Sequence, residues 1–303
     1  MIKKIILFTT FTFSQAFSLT INVPEDFLDI QDAIDFSQDG DTIFVSPGVY
    51  FENINFNGKS IMLSSNYIED NDSLLIGVTI IDAGNEGSVV TFNSGENNNA
   101  ILQGFTLQNG NGNDEDPDNN GSFYTYGGGI YCENSDPLIK DCIIQNNTAN
   151  EGGGAGIFCY DSSPIFFGCT IKENETDDVG GGLYARDGSS PSFFDCIFMD
   201  NTAEFGGGCY LKSSSSPLME NVVFMQNNAN NSGGGIGLKD DANIEASNLT
   251  ISENLAEGLG GGLYINNADP TFSFALIVDN TASSGAGIYI RNNSEIDLTN
   301  ITL

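Results

Sequence analysis

Residues 180–205 read GGGLYARDGSSPSFFDCIFMDNTAEF, and residues 206–209 begin the same pattern again with GGGC. The apolar residue that follows each such glycine cluster stands at positions 130, 157, 183, 209, 236, 263 and 288, so the repeat is 25 to 27 residues long. A period of this length is typical of solenoids, in which each repeat packs only on its neighbours. The repeat therefore determines the fold of this part of the chain.

A column of asparagines keeps the same step. Its members are Asn147, Asn174, Asn201, Asn227, Asn254 and Asn280. Asparagine tolerates the left-handed backbone region, so we expect each of these residues to turn a corner while its amide bonds to the asparagine one coil away. The column therefore predicts a structural ladder, and the glycine clusters predict tight bends where a side chain would not fit.

Each period also holds three short apolar runs separated by Asn, Asp, Ser, Gly and Pro, which is the pattern of strands and turns. Stacked on their copies, these runs predict an all-β fold, a right-handed parallel β-helix with three short strands and about 26 or 27 residues per coil. Equivalent apolar side chains should then form ladders inside the coil. One such ladder is Ile144, Ile171, Phe198, Phe224, Ile251 and Ile277.

The six cysteines follow the same columns. Cys142, Cys169 and Cys196 share one column, Cys132 and Cys159 share another, and Cys209 takes the place of Ile130. Neighbouring coils would bring these sulfurs within disulfide range, and export would permit oxidation. We expect stacked buried thiols instead, because in-register parallel strands point both Cβ atoms the same way.

The two ends differ from the repeats. Residues 1–18 have a basic start, an apolar run and small residues at a cleavage position, which predicts a signal peptide. The rest, 19–303, is expected to be one β-helix domain, in which 19–60 form an N-terminal cap and the first coil. Within the cap, residues 27–34 have the spacing of an amphipathic capping helix. The last residues stop inside a coil, so we expect a truncated C-terminus.

Composition excludes several classes of function. The sequence has nine Lys and Arg residues and 41 Asp and Glu residues, which gives a formal charge of −32, and it has no histidine. Such a surface repels nucleic acid, and catalytic or zinc sites that need histidine cannot form. No stretch is long enough for a transmembrane helix. We therefore expect a secreted, extracellular monomer, with display on the outer membrane of a cell as the alternative.

The glycine and asparagine columns resemble the repeats of a known protein family. GGGI or GGGL followed by FxxN, as in Phe198-Met199-Asp200-Asn201 and Phe224-Met225-Gln226-Asn227, resembles the repeats of the polymorphic outer-membrane protein family. The resemblance covers about residues 100–303 and implies a surface-exposed or secreted β-helix involved in adhesion.

The opening segment resembles a different group. Ile30-Gln31-Asp32-Ala33-Ile34, together with residues 46–54, is similar to the start of pectin methylesterases and other pectate-lyase-like β-helices. This similarity implies the fold. The paired Asp, Gln and Arg motifs of those esterases are not found here, so no active-site residue is carried over.

A charged stripe is one candidate for chemistry. Arg186, Lys212, Lys239 and Arg291 occupy one column, and the next position carries Asp161, Asp187 and Asp240. A polysaccharide lyase needs a base beside a uronate and a Ca²⁺ held by carboxylates, so Arg186, Lys212 and Lys239 are candidate catalytic residues, and Asp187 and Asp240 are candidate metal ligands. The alternative is two rows that neutralise each other on a solvated face.

An acidic loop insertion, residues 110–126, is the second candidate. Asp114, Asp116, Asp118 and Asn120 place oxygen donors at every second position, as in calcium loops, but the Glu that completes such a loop is absent. A loop without a bound ion is the alternative, and Ca²⁺ is the one cofactor that we consider.

These observations favour a secreted or cell-surface β-helix that acts as a non-enzymatic scaffold for adhesion or glycan contact. The partner would be a polysaccharide or a glycan of a host or cell surface. The alternative is a Ca-dependent, pectate-lyase-like polysaccharide lyase that acts on an acidic polysaccharide.

Overall fold

A computed structural model describes residues 18–70, 72–116 and 121–303. The predicted signal peptide therefore lies outside the described residues except for its last position, and so do Asp118 and Asn120 of the predicted calcium loop.

The chain winds through three long sheets. Sheet 1 has nine strands: Ile54–Asn55, Val90–Phe92, Ile130–Glu133, Ile157–Tyr160, Leu183–Arg186, Cys209–Lys212, Ile236–Lys239, Leu263–Asn266 and Ile288–Arg291. Sheet 2 has eleven strands: Thr20–Val23, Thr42–Val45, Met62–Ser65, Ile101–Gln103, Leu138–Lys140, Ile165–Phe167, Ser192–Phe194, Leu218–Glu220, Glu245–Ser247, Thr271–Ser273 and Asp297–Thr299. Sheet 3 has nine strands: Gly48–Phe51, Thr79–Asp82, Thr106–Gln108, Ile143–Gln145, Thr170–Lys172, Ile197–Met199, Val223–Met225, Thr250–Ser252 and Leu276–Val278.

Two smaller sheets and three short helical segments complete the fold. Sheet 4 has six strands: Thr148–Ala149, Glu175–Thr176, Thr202–Phe205, Asn228–Ser232, Leu255–Leu259 and Thr281–Ser284. Sheet 5 has three strands: Asn113–Glu115, Tyr124–Tyr126 and Glu151–Gly153. The helices are α1 (Ile30–Phe36), α2 (Tyr67–Asp70) and a 3-10 segment (Ser73–Val78).

Strands of the three long sheets pair in parallel with their copies one coil away. Ile171, for example, lies between Ile144 and Phe198, and Phe198 lies against Phe224 with ring centroids 4.7 Å apart and planes 8° apart. The predicted parallel β-helix with three strands per coil is confirmed. Sheet 4 adds a fourth short strand to the later coils, which the apolar pattern did not predict.

Helix α1 closes the N-terminal end of the core. Ile30, Ala33 and Ile34 are fully buried, whereas Leu28 is 78% exposed. The helix begins three residues later than predicted, because the Glu52 carboxylate accepts hydrogen bonds from the backbone N–H groups of the first two helical residues, at 2.8 Å each. These bonds satisfy donors that have no partner within the helix.

The asparagine column forms a buried ladder. In each step, the side-chain amide of one Asn donates to the Oδ1 atom of the next; for Asn174 and Asn201 the distance is 3.0 Å. The prediction that these asparagines have a left-handed backbone is wrong. Positive φ belongs instead to the residue before each ladder position, such as Glu173 (φ 55°) or Asp200 (φ 55°), whose side chain lies outside the coil.

The cysteines are free and buried in the structure, as the stacking hypothesis requires. Cys132 pairs in register with Cys159 between neighbouring strands of sheet 1. Burial raises the pKa of the Cys142 thiol to about 12, because the apolar interior disfavours a thiolate.

The described residues of the insertion at 110–126 include two strands in place of the predicted loop. Asn113–Glu115 and Tyr124–Tyr126 form an antiparallel hairpin, and the second of these strands continues in parallel onto Glu151–Gly153. The hairpin exists because residues 151–153 offer it an open strand edge. Within the described ranges, no helix is long and apolar enough to cross a membrane.

Candidate functional site

The glycine clusters join sheet 4 to sheet 1 through a tight corner, in which Ala155 and Ala286 take the middle position of two clusters. The first glycine of a cluster has positive φ, as in Gly180 (φ 69°), and a Cβ on the third, Gly182, would stand 2.4 Å from the carbonyl oxygen of Gly208. The first and third positions therefore favour glycine. Beside this corner, side chains of sheet 1 and residues of sheets 4 and 5 and their flanking segments line a groove that extends over several coils.

A row of aromatic residues on sheet 1 follows this groove, which we call the tyrosine groove, and Tyr184, Tyr210 and Tyr264 line it. The row is Tyr131, Phe158, Tyr184, Tyr210, Tyr264 and Tyr289, with Gly237 at the same position in the coil between Tyr210 and Tyr264. Tyr184, Tyr210 and Tyr264 are only 4 to 7% exposed, yet they reach the groove surface. Burial raises the pKa of Tyr184 and Tyr210, so their hydroxyls stay protonated and can donate hydrogen bonds.

The predicted basic column lies two positions further along the same strands. Arg186, Lys212 and Lys239 are brought together in register, Asn266 interrupts the row, and Arg291 follows. The Arg186 guanidinium pairs with Asp187 and stands 5.7 Å from the ring centroid of Tyr160. The Lys239 ammonium lies 3.9 Å from the carboxylate of Asp240.

Acidic side chains form the opposite wall. Glu151, Asp177 and Asp178 face Arg186 and Lys212 across a hollow of about 490 Å³, which we call the end pocket. A second hollow of about 280 Å³, the middle pocket, shares Asp178, Tyr184 and Lys212 with the first and continues to Lys239, Tyr264 and Asn266. Burial, and next the charge of Asp177, raise the pKa of Asp178, while Lys212 opposes that shift.

The candidate metal ligands that the sequence predicts do not lie together in the structure. Asp187 and Asp240 are separated by Ser213 in their column, and each pairs with the basic residue before it. Asp114 and Asp116 lie at the hairpin, and Asp116 accepts a 2.7 Å hydrogen bond from the backbone N–H of Gly121. Within the ranges that the structure describes, no three Asp, Glu or Cys side chains converge as a metal site would require.

Sequence reasoning found the basic column but missed the aromatic one. The signal was present, since Tyr131, Phe158, Tyr184 and Tyr210 recur at the step of the repeat. Tyrosine is common in strands, so its recurrence alone predicts strands and not a groove. The grouping of Tyr184 with Asp177 and Asp178 depends on how the segment after the strand Glu175–Thr176 lies against sheet 1.

Known proteins share this architecture. A family model described as "Right handed beta helix region" matches residues 32–193, 118–248 and 170–303, and this includes the handedness predicted from the repeat. The search of the curated proteins finds no match.

Among solved structures, a pectate lyase has a TM-score of 0.51 at 13% identity, over 90% of this chain and 72% of that one. The A-module of a mannuronan C-5 epimerase from Azotobacter vinelandii has a TM-score of 0.42 at 15% identity, over 90% and 92%. A pectin methylesterase from carrot has a TM-score of 0.34 at 12% identity, over 93% and 82%. The similarity to the pectate lyase concerns the fold alone, and the other two scores carry no argument.

Proposed function

Because the chain belongs to the family of right-handed β-helix regions, we propose that it is a secreted or cell-surface scaffold that contacts a polysaccharide along the tyrosine groove without acting on it chemically. The observation that carries this proposal is the groove itself, where tyrosine hydroxyls, ammonium groups and carboxylates line one continuous path along the helix axis.

The regular spacing of the groove suits a linear polymer. Neighbouring strands lie about 4.8 Å apart, so tyrosine and basic side chains recur at a nearly constant interval, except at Gly237 and Asn266. A polysaccharide lying along the axis would present its hydroxyls at intervals of similar size. Hydrogen bonds from several coils would then add up along the chain, although each is worth only about 1 kcal/mol.

The distribution of charge also supports the tyrosine groove as the binding surface. Four of the nine Lys and Arg residues of the chain, Arg186, Lys212, Lys239 and Arg291, stand in this one column. In a molecule with a formal charge of −32, the column is where an acidic sugar meets the least repulsion.

The test is binding to a panel of linear uronate and neutral polysaccharides. We expect Lys239→Ala to weaken binding of the best ligand by about tenfold, as for the loss of one charged hydrogen bond. Lys172→Ala is the matched control, because Lys172 lies on sheet 3 and pairs with Glu173 at 3.3 Å. No binding by the wild type, or an equal loss in both variants, would contradict the proposal.

A lyase that acts on an acidic polysaccharide with Ca²⁺ is the second candidate, because Arg186 and Lys212 stand beside Asp178 in the groove. It is tested by the absorbance of unsaturated uronates after incubation with the same panel, with and without Ca²⁺. A lyase releases such products and loses this activity in Arg186→Ala. If the wild type releases no unsaturated uronates, the lyase hypothesis fails and the scaffold proposal stands.

A further inference from the structure

The tyrosine groove is closed at its N-terminal end by aromatic side chains. Tyr126, Tyr131 and Phe158 are at most 5% exposed, and the ring centroids of Tyr126 and Phe158 are 4.5 Å apart. These rings pack in one cluster, separate from the core inside the coil. Tyr126 forms one boundary of the end pocket, and Tyr184 and Arg186 line the pocket at the next coil of sheet 1.

The hairpin of sheet 5 completes this closed end. Its second strand carries Tyr124, and the strand that it pairs with carries Glu151; both residues line the end pocket. The backbone N–H of Glu151 donates a 2.8 Å hydrogen bond to the carboxylate of Asp177, which fixes the wall in place.

In the other direction the groove stays open. Gly237 occupies the position that tyrosine has in the coils on either side, and a Cβ there would stand 2.8 Å from the ring of Tyr210. The Tyr210 ring lies over Gly237, and the middle pocket extends from Tyr184 past this coil to Tyr264. A linear ligand that enters the end pocket can therefore continue along the groove towards the C-terminal coils.

The two pockets differ in charge. The end pocket holds three carboxylates, those of Glu151, Asp177 and Asp178, against Lys212 and Arg186, of which Arg186 is engaged by Asp187. The middle pocket holds Lys212 and Lys239 with only one of those carboxylates, that of Asp178, and Lys239 has Asp240 at 3.9 Å. The end pocket thus suits the hydroxyl donors of an uncharged sugar, and the middle pocket suits an acidic group.

We infer, resting on the proposed function, that the groove receives the end of a glycan chain and not its interior. An uncharged terminal sugar occupies the end pocket, and the acidic groups of the following sugars lie beside Lys212 and Lys239.

The experiment uses the whole chain and a linear, partly methyl-esterified galacturonan, held at fixed mass but cut to successively shorter lengths. A protein that binds chain ends will saturate at an amount that rises in proportion to the number of ends. A protein that binds chain interiors will saturate at the same amount per mass until the fragments become shorter than the groove.

Two variants and a control locate the effect. Glu151→Gln and Tyr124→Ala are expected to weaken binding of the short fragments several-fold, whereas Phe167→Ala, on the exposed face of sheet 2, leaves it unchanged. If capacity per mass stays constant while Lys239→Ala still weakens binding, the chain-end inference is overturned and the proposed function stands. If neither this polymer nor any other on the panel binds, both are overturned.

Discussion

At the scale of single residues, each ladder asparagine satisfies several polar groups at once. The Oδ1 atom of Asn201 accepts from the side-chain amide of Asn174, while its own amide donates to the carbonyl of Ile171 at 2.9 Å and to Asn227 at 3.0 Å. All of these groups are buried, so their loss leaves donors and acceptors without water to replace the partner.

Asn201→Ala is therefore expected to lower the free energy of unfolding by about 2 to 4 kcal/mol, the cost of two or more unsatisfied buried groups. The measurement is denaturation in guanidinium chloride. Asn98→Ala, at an exposed position, is the control and should change stability by less than about 0.5 kcal/mol. Equal midpoints for the two variants would show that the ladder contributes nothing.

The thiols give a second prediction at this scale. All six cysteines are buried, so reagents cannot reach them, and burial also raises the pKa of the Cys142 thiol to about 12. Alkylation at mildly alkaline pH is expected to modify none of the six in the folded protein and all six in denaturant, as counted by intact mass. Rapid labelling of the folded chain, or fewer than six thiols after unfolding, would contradict the stacked free thiols.

The column of ladder asparagines was predictable, but the residue that turns the corner was not. Asparagine recurs at the ladder position because the side chain there must both donate and accept hydrogen bonds inside the coil. The preceding residue, Glu173 or Gln226 for example, has its side chain outside, so many polar residues serve there and no single-residue column forms. The sequence pattern consequently assigned the positive φ to the wrong neighbour.

At the scale of elements, helix α1 depends on side chains from outside it. A seven-residue helix is unstable alone, and its N-cap residue Asp29 makes no side-chain capping bond. Glu52 supplies the cap at the first turn, and the Lys59 ammonium donates to the carbonyls of Ile34 and Asp35 at 2.6 and 2.7 Å at the last turn. These contacts hold the helix over the end of the core.

Glu52→Ala should thus lower the stability of the cap by about 1 to 2 kcal/mol, the usual worth of a capping side chain. Hydrogen exchange of the amides of residues 30–36 measures it directly and should become faster, while the amides of sheet 3 in the later coils keep their rates. Glu86→Ala is the control, because it removes one carboxylate at an exposed position away from the helix. Unchanged exchange in Glu52→Ala would refute the assigned role.

Sheet 4 shows why part of the site escaped sequence reasoning. Its strands, such as Thr202–Phe205 and Asn228–Ser232, mix polar and apolar residues without a period of two, because only some of their side chains reach the interior. The apolar runs of the three long sheets could be predicted, and the basic column lies on one of them. The acidic wall was not predicted, because Glu151 lies on sheet 5 and because Asp177 and Asp178 follow the sheet 4 strand Glu175–Thr176.

At the scale of the whole molecule, the dominant feature is excess negative charge. Burial raises the pKa of Asp178, Glu115 and Glu52 in the folded chain. The folded state then binds protons more readily than the unfolded state as pH falls, so stability decreases as pH rises through the window from the unfolded to the raised folded values. Self-repulsion at a formal charge of −32 acts in the same direction.

We accordingly expect the melting temperature to rise as pH is lowered from about 8 to about 5, above the pH at which most carboxylates become neutral. Calorimetry across this range is the measurement. Repeating it in high salt separates the two causes, because screening removes the long-range repulsion and leaves the buried carboxyls. A melting temperature that falls on acidification in this range would contradict both.

The account depends most on the tyrosine groove being the surface that meets a glycan. Hydrogen–deuterium exchange of the protein, with and without the best polysaccharide of the panel, tests this most directly. We predict slower exchange confined to residues 124–126, 151–152, 177–186, 204–212, 236–239 and 263–266. Protection of residues 165–167 and 192–194 on the outer face of sheet 2, with none in the groove, would contradict the account.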